Sequence, residues 1–389
     1  MSRRRFTCLL GMAWASAALG VVPGCGGAGA GDGAGDEPAG SAPVPTAEDG
    51  QGFSQDEMAA ASAGQAPEAL ATGTVCVAEY AGNTLAIIDP VTWTVTEHIP
   101  AGQNPATALF AARSVYVGSS GGGELAVVPV DHPETATHIP VGRQPLGLCY
   151  DESRGILYVG DYFNNSIHEV DVALNSLVGT IALDVCGYHK RTDPPDCCRI
   201  GPGEGRRTVA MALAPQGETL YCANYGTYDV ARIDLEAGQE IEAFDGVVGP
   251  RQMVVSRDGA TLLLAGVGGE EEEQVNALYV IDRQTGKRVR EVPVGQSVAG
   301  VAQSSDGAIV YALARDDGEL VAFDAARWKE RGRLTVGAGS DTLFLDAASQ
   351  QAYVANSTTG VLTIVDAGAL EVVAQVEGLA SPKGIAVVG

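Results

Sequence analysis

The chain has 389 residues, with 48 acidic side chains against 24 lysines and arginines and a formal net charge of −24. So negative a protein repels a nucleic-acid backbone, which excludes nucleic acid as the expected partner. The 51 glycines, 19 prolines and 6% aromatic residues exclude a coiled coil or helical bundle and favour short strands joined by tight turns.

The first 25 residues are predicted to be an export signal. Three arginines precede an apolar stretch, Phe6 to Val22, that is too short to span a membrane and ends in small residues. Val22-Pro23-Gly24-Cys25 resembles a bacterial lipobox, which implies lipidation of Cys25, and the arginine run resembles a twin-arginine signal. The alternative is an ordinary secretory peptide. We therefore expect an exported protein, in the periplasm or at the cell surface, that meets the membrane only through a lipid anchor.

Residues 26–73 are predicted to be a disordered acidic linker. They consist mainly of glycine, alanine, proline, serine and acidic residues, so they cannot bury enough apolar surface to fold. The segment holds acidic residues but no lysine or arginine, and this self-repulsion favours an extended tether. The folded domain is expected to span residues 74–389.

From residue 75 onward one pattern recurs: a short strand with a tyrosine, a loop, an apolar strand ending near an aspartate, a third strand and a Gly/Pro turn. The offset from tyrosine to aspartate is 13 residues, as from Tyr158 to Asp171 and from Tyr353 to Asp366. The marker positions 89, 129, 171, 234, 282, 324 and 366 follow one another at spacings of 40, 42, 63, 48, 42 and 42 residues. Such a period is typical of a β-propeller.

A further strand follows each turn, and the last of these lies at the extreme C-terminus, from Gly384 to Val388. Its three partner strands begin the domain at Val75. The sequence therefore predicts an all-β fold, a seven-bladed β-propeller of four-stranded blades. Pairing of the C-terminal strand with the N-terminal blade would close the ring and remove exposed strand edges.

These repeats, with the turns Ile139-Pro-Val-Gly142 and Val292-Pro-Val-Gly295 and the hairpin Ser256-Arg-Asp-Gly259, resemble the YVTN-repeat, YncE-like family of extracytoplasmic seven-bladed propellers. The resemblance covers about 315 residues, up to Gly389. It implies a fold and a compartment rather than a reaction, because most members of that family have no assigned reaction. Pro129, where aspartate is usual, and two insertions depart from the pattern.

The insertions occupy residues 184–207, between blades three and four, and 266–276, within blade five. In a propeller both connections emerge on the same face, so we expect recognition there, with tolerated decoration as the alternative. In the first insertion, Cys186 could form a disulfide with Cys197 or Cys198, and Cys222 could take the remaining thiol. A metal site of these cysteines and His189 is the alternative, although adjacent cysteines suit a tetrahedron poorly.

No metal or cofactor is expected. The second insertion contains four consecutive glutamates, 270–273, which lack the spacing of calcium ligands and indicate a solvated charge run. Cys76 and Cys149 are expected to be buried free thiols. No nucleophile elbow or phosphate-binding loop occurs, so no catalytic residue is assigned.

The loops of the insertion-bearing face present tyrosine, asparagine and arginine, which together suit recognition. The expected ligand- or partner-binding residues are Tyr162, Tyr225, Tyr228, Asp161, Asn224, Arg191, Arg251 and His189. Asn83 and Asn164 are attributed to turn chemistry instead.

These features favour a monomeric, non-enzymatic binding or scaffold module for an unknown protein or small ligand. One alternative is a lactonase-like hydrolase, because propellers of this kind include lactone-cleaving enzymes. Another is an electron-transfer partner resembling the propeller subunits of amine dehydrogenases. His and carboxylate side chains meeting at the ring axis would favour an enzyme.

Overall fold

The computed structural model describes residues 69–184, 205–245, 247–266 and 277–389. In chain order their strands are β1 (Val75–Glu79), β2 (Thr84–Ile88), β3 (Val95–Pro100), β4 (Pro105–Ala111), β5 (Ser114–Ser119), β6 (Glu124–Pro129), β7 (Thr137–Pro140), β8 (Pro145–Asp151), β9 (Ile156–Asp161), β10 (Ser166–Asp171), β11 (Ser176–Ala182), β12 (Thr208–Leu213), β13 (Thr219–Asn224), β14 (Asp229–Asp234), β15 (Gln239–Phe244), β16 (Pro250–Val255), β17 (Thr261–Gly266), β18 (Ala277–Asp282), β19 (Arg288–Pro293), β20 (Val298–Gln303), β21 (Ile309–Ala314), β22 (Glu319–Asp324), β23 (Lys329–Thr335), β24 (Ser340–Leu345), β25 (Gln351–Asn356), β26 (Val361–Asp366), β27 (Glu371–Val376) and β28 (Pro382–Val387). One short 3-10 helix spans Pro133–Thr135.

The strands form seven antiparallel four-stranded sheets, the blades of a seven-bladed β-propeller. Blade one has the order β28-β1-β2-β3, and blades two to seven each take four consecutive strands, beginning with β4, β8, β12, β16, β20 and β24. The first strand of each order is the innermost strand of its blade. The predicted fold class is confirmed.

The ring closes where the ends of the domain meet. Strand β28 pairs with β1, so that Val75 lies opposite Val387 and Cys76 opposite Ala386. On its other side blade one packs against blade seven through an apolar cluster that includes Val77, Ile385 and Leu362. The predicted closure by the C-terminal strand is therefore present, and blade one has four strands like the other six.

The repeated tyrosines and aspartates join the blades and terminate their strands. Tyr116 in blade two is fully buried, and its hydroxyl donates to Asn175 Oδ1 of blade three at 2.9 Å. The aspartate that ends each third strand accepts hydrogen bonds from backbone amides of the following turn, as Asp171 does from Ala173 and Leu174. Pro129 cannot do this, and the 3-10 helix forms part of that connection instead.

Two kinds of connection share one face of the ring: the loops from second to third strand, and the crossings from an outermost strand to the next blade. Both insertions interrupt connections of this kind, after β11 and after β17. We call this side the insertion face.

Two residues that precede position 74 contact the propeller. Leu70, assigned to the linker, donates its backbone amide to Val130 O at 2.8 Å, and Gly73 donates to Val388 O at 2.7 Å. Leu70 and Gly73 therefore belong to the propeller, because their backbone groups find partners on blades two and one.

Candidate functional site

A bulge recurs near the start of every innermost strand, at its insertion-face end. In β16, for example, Pro250 and Gln252 pair with successive residues of β17, so Arg251 is left out of the ladder. A bulge frees one residue from pairing and re-aims its side chain. The corresponding positions are Ala106, Leu146, Val209, Arg251, Ala299 and Asp341, with Lys383 in the irregular stretch of β28. We call these seven residues the axial ring.

Three members of the axial ring are charged, and they interact although they belong to different blades. Arg251, Asp341 and Lys383 lie in blades five, seven and one, and Arg315 from a loop of blade six joins them. Burial lowers the pKa of Lys383 to about 8 despite the attraction of Asp341, and repulsion from Arg251 and Arg315 acts in the same direction as burial. We call these four residues the axial cluster.

Burial also shifts the pKa values of Asp341 and Arg251, which are half-buried. Burial raises the pKa of Asp341, even though Ser357, Lys383 and Arg315 favour its charged form. Burial and the repulsion of Arg315 lower the pKa of Arg251 despite the attraction of Tyr225 and Asp341. An ion pair that only stabilises the fold lowers the pKa of its acid and raises the pKa of its base. The pKa shifts of Asp341 and Arg251 have the opposite signs, which is typical of a functional site.

Two polar atoms of the axial cluster are buried without a hydrogen-bond partner in the described part of the chain: Asp341 Oδ1 and Arg315 Nε. The other carboxylate oxygen of Asp341 accepts a hydrogen bond from Ser357 Oγ at 2.6 Å, which fixes the orientation of the carboxylate. Because an unsatisfied buried polar group costs free energy, each such atom calls for an explanation.

Aromatic rings hold the cations around the axis. The Lys383 ammonium lies 4.0 Å from the centre of the Tyr80 ring, and the Arg251 guanidinium lies 5.2 Å from that of Tyr225. Arg207 stacks in the same way on Tyr162, at 5.7 Å. Such contacts stabilise a partly desolvated cation and restrict its position. The predicted residues Tyr162, Tyr225 and Arg251 lie close enough on the insertion face to interact electrostatically.

Tyr228 also lies on the insertion face, and its backbone is unusual. Its φ is +53°, in the left-handed region, where the equivalent turns of blades one and three have asparagine at Asn83 and Asn165. A bulky aromatic residue rarely adopts this conformation, which is found at functional sites more often than elsewhere. Its side chain is 42% exposed and packs edge-on against Tyr225. Tyr228 is thus presented to solvent.

The structure corrects two of the predicted binding residues. Asp161 is fully buried and accepts hydrogen bonds from the backbone amides of Arg143 and Phe163, at 2.8 and 3.0 Å. Burial alone would raise the pKa of Asp161, but His168 and these amides lower it to about 2. Asn224 is equally buried between Thr208 and Asp229. Both side chains terminate strands inside the blade and are not available to a partner.

The turn assignment of Asn83 is consistent with its positive φ, but in blade three that conformation belongs to Asn165 and not to Asn164. Asn164 instead donates its side-chain amide to Asp161 Oδ2 at 2.6 Å.

A buried ion network closes the base of the first insertion. Arg206 is fully buried, with one guanidinium nitrogen 2.5 Å from Asp229 Oδ2 and another bonded to Glu240. Glu240 Oε2 also accepts a hydrogen bond from the backbone amide of Asp184 at 2.8 Å. One carboxylate of β15 thus binds both ends of the insertion. Although Arg206 follows a long loop, it is not a surface cation, because its charge is neutralised inside blade four.

Several predicted residues lie outside the described residues: Cys25, Cys186, Cys197, Cys198, His189 and Arg191, with the glutamates at 270–273. Cys222 is a free thiol, and this corrects its assignment as a disulfide candidate. It is fully enclosed by the apolar core that blades three and four share, and burial raises its pKa well above the usual value. Cys76 and Cys149 are buried free thiols, as predicted.

No histidine of the described ranges belongs to the axial cluster. His98 and His138 lie on the outermost strands β3 and β7, and His168 lies on β10. In the same ranges no group of three or more histidine, cysteine, aspartate or glutamate side chains could hold a metal ion. No helix among these residues is long and apolar enough to cross a membrane.

Asp341 and Arg315 were missed by the sequence analysis. A signal for Asp341 is present, because aligning the seven innermost strands places it, Arg251 and Lys383 at one position that is apolar in the other blades. Arg315 stands where other blades have Tyr80, Tyr162 or Tyr225, directly after the second strand.

Comparison with known proteins supports the fold and goes no further. No family model and no curated protein matches the chain. Among solved structures, the periplasmic gluconolactonase of Pseudomonas aeruginosa has a TM-score of 0.63 at 18% identity, over 82% of this chain and 99% of that chain. Kuenenia stuttgartiensis hydrazine synthase has a TM-score of 0.63 at 17% identity, over 75% of this chain and 92% of that chain. A functionally unknown protein from Desulfotomaculum acetoxidans has a TM-score of 0.64 at 14% identity, over 81% of this chain and 99% of that chain. The chain thus has the seven-bladed propeller fold, with structural neighbours of the gluconolactonase type.

Proposed function

We propose that the protein is an extracytoplasmic binding propeller of the YVTN-repeat, YncE-like kind, tethered to a bacterial membrane through Cys25, and that it binds its ligand at the axial cluster. The observation that carries this proposal is the meeting of Arg251, Arg315, Asp341 and Lys383 at the axis of the insertion face. Like charges crowded at half-buried positions oppose folding, and such an arrangement is retained where a ligand uses it.

The aromatic side chains around the cluster support the same proposal. Tyr80, Tyr162 and Tyr225 are half-buried, and Tyr228 is exposed in a strained turn. Tyrosine and arginine are the residue types that dominate recognition sites, because they combine a large apolar surface with polar groups. The rigid ring of blades keeps them in place before a ligand arrives, which reduces the entropy lost on binding.

The test compares the two faces. The immobilised mature protein is exposed to an envelope extract, and retained molecules are quantified by mass spectrometry for wild type, for Tyr162→Ala combined with Tyr225→Ala, and for Asp258→Asn on the opposite face. We expect the tyrosine variant to lose its specific ligand by about tenfold or more while its melting temperature stays close to that of wild type. Unchanged capture by that variant, or a loss confined to Asp258→Asn, would place recognition elsewhere.

A lactonase-like hydrolase is the second candidate. What favours it is a lysine with a pKa of about 8 beside a carboxyl with a raised pKa, since such a pair could transfer protons at neutral pH. The solved gluconolactonase shares the fold at low identity. Hydrolysis of gluconolactone by wild type, abolished in Lys383→Met, would make this candidate the better one.

A further inference from the structure

We infer that two copies of the protein associate through the outer edge of β11, the outermost strand of blade three, to form a symmetric dimer. No strand of the described ranges pairs with that edge. The inference goes beyond the proposed function, because β11 lies at the rim of the ring and not at its axis. It also departs from the monomer expected from the sequence.

The first argument concerns exposed apolar side chains. Leu174, in the turn before β11, is 69% exposed, and Leu177 and Val178 at the start of the strand are 44% and 53% exposed. They are three of the nine large apolar side chains that are exposed in the described part of the chain, and they lie close together in the sequence. Single exposed apolar residues need no explanation, whereas a concentration of them is typical of a contact surface.

The second argument is that β11 carries no charge. No acidic or basic side chain occurs from Val172 to Leu183, although 19% of the whole chain is charged. Charged side chains commonly protect an exposed strand edge from pairing with another strand. The other six outermost strands each contain at least one ionisable side chain: Glu97 in β3, His138 in β7, Glu240 in β15, Arg290 in β19, Lys329 in β23 and Glu371 in β27. Strand β11 lacks this protection.

Charge and symmetry favour a second copy as the partner. Copies of so acidic a protein repel one another, so a stable contact must add no further repulsion. Antiparallel pairing of β15 with its copy would bring Glu240 and Glu242 near their equivalents, whereas β11 brings together neutral side chains only. A bulge at Val178 leaves a regular edge from Gly179 to Ala182 for backbone pairing. A two-fold axis relates two antiparallel copies of one strand, so each copy supplies the same donors and acceptors.

Strand β27 of blade seven shows what distinguishes β11. Both strands have a bulge near the start that leaves one exposed valine out of the ladder, Val178 at 53% and Val373 at 50%. The preceding turns differ, because Leu370 packs on the apolar core between blades six and seven while Leu174 is exposed. Glu371 then opens β27 with a charge. The apolar surface is therefore larger and uninterrupted by charge at β11.

The insertion that follows β11 begins at the other end of the strand. Leu183 donates its backbone amide to Asn165 O at 2.8 Å, and Asp184 donates its own to Glu240 of blade four. Both contacts lie at the insertion face, whereas the exposed residues at the start of β11 lie roughly 15 to 20 Å away along the strand, toward the opposite face. The described start of the insertion thus leads away from these residues, which favours a second copy as their partner.

The test measures association in the Cys25→Ser protein, so that a lipid cannot cause it. A contact along one strand is small, so sedimentation at roughly 1 to 100 µM should show a reversible equilibrium between monomer and dimer. Raising the salt concentration should strengthen association, because salt screens the repulsion between two acidic rings while the contact itself is neutral.

Two lysine variants locate the contact. Val178→Lys should weaken the dimer by about tenfold or more, because it adds a charge to each side of an apolar edge. Val373→Lys is the matched control, at the equivalent bulge of β27 and with nearly the same exposure, and it should leave the dimer unchanged. Both valines are exposed, so both melting temperatures should stay close to that of the parent protein. Hydrogen exchange at the β11 amides should be slow in the parent and faster in Val178→Lys.

Three outcomes would overturn the inference. The first is a parent protein that stays monomeric at every concentration. The second is such a monomer whose β11 amides still resist exchange, which would assign the covering segment to the chain's own insertion. The third is the same effect of both lysine variants on the dimer, which would place the contact elsewhere. None of these results concerns ligand capture by the tyrosine variant, so the proposed function stands or fails separately.

Discussion

Lys383 illustrates how one residue can oppose folding at a position where the chain could have placed an apolar side chain. It is 7% exposed and lies opposite two arginines, whereas the same position is alanine in blades two and six. The nearby Asp341 and the ring of Tyr80 only partly offset the cost of burying the ammonium group. The free-energy cost is borne in the absence of ligand, which is why we attribute the residue to binding and not to stability.

Replacing Lys383 by methionine should therefore stabilise the protein, in a pH-dependent way. Below pH 8 the lysine is charged in both the folded and the unfolded state, so the full penalty is present, and we expect a gain on the order of 1 to 3 kcal/mol in the free energy of unfolding. Between pH 8 and the unperturbed pKa of 10.5 the folded state has lost its proton first, so wild type gains stability and the difference shrinks.

Urea denaturation of both proteins at pH 7 and pH 10 measures this difference. Lys329→Met, at an exposed position of β23, serves as the control and should change little at either pH. A Lys383 variant that is less stable than wild type at pH 7 would contradict the assigned cost.

At the scale of the element, the bulges of the innermost strands and the base of the first insertion both fix the positions of residues on the insertion face. Each bulge takes one side chain out of a β-ladder and turns it toward the axis, as with Asp341 in β24. Glu240 of β15 binds both Asp184 and Arg206, so it holds together the two ends of a long connection. Glu240 therefore holds the two ends of the insertion together, and this does not require a disulfide within the insertion.

Arg206→Met should destabilise the protein severely. It removes the only cation in the described structure that bonds both Asp229 and Glu240, and it leaves their carboxylates buried together, for which we expect a loss of about 3 to 5 kcal/mol. Arg232→Met is the matched control, because Arg232 pairs with Glu242 across the same two strands but is about one-third exposed. We expect less than about 1 kcal/mol from it. Equal losses in chemical denaturation would show that the buried network carries no special weight.

At the scale of the whole molecule, the closed ring gives a rigid platform on which one face can specialise. Blade one combines the first three strands of the domain with its last strand, so the two ends of the fold lie on the same blade. The predicted signal and linker precede this blade in the sequence, and a lipid on Cys25 would tether the platform through about 45 residues of acidic chain.

The proposed tether predicts where the protein is found in the cell. Cys25→Ser should move the protein from the membrane fraction to the soluble fraction, because a lipid chain would no longer hold it at the bilayer. Fractionation followed by intact-mass measurement checks this. The same fractionation for wild type and variant, with a mass free of lipid in both, would favour an ordinary secretory signal.

The sequence by itself determined the seven blades, their four-strand composition and the closure by the C-terminal strand. These follow from local signals that repeat, such as the tyrosine that reaches the next blade and the aspartate that ends a third strand. It also placed both insertions on one face, because strand order alone decides on which side a connection emerges. The sequence also indicated Tyr162, Tyr225 and Arg251 as candidate binding residues, since each lies in or beside a connection of that face.

Only the tertiary structure decided which polar residues act together. Asp161 and Asn224 look like surface residues in the sequence because they adjoin loops, yet both are enclosed between strands. Asp341 and Lys383 are 42 positions apart in the chain and far from Arg251, and they interact because the innermost strands converge on one axis. A local pattern cannot express that convergence, since it arises when the ring closes and brings seven equivalent positions to a common centre.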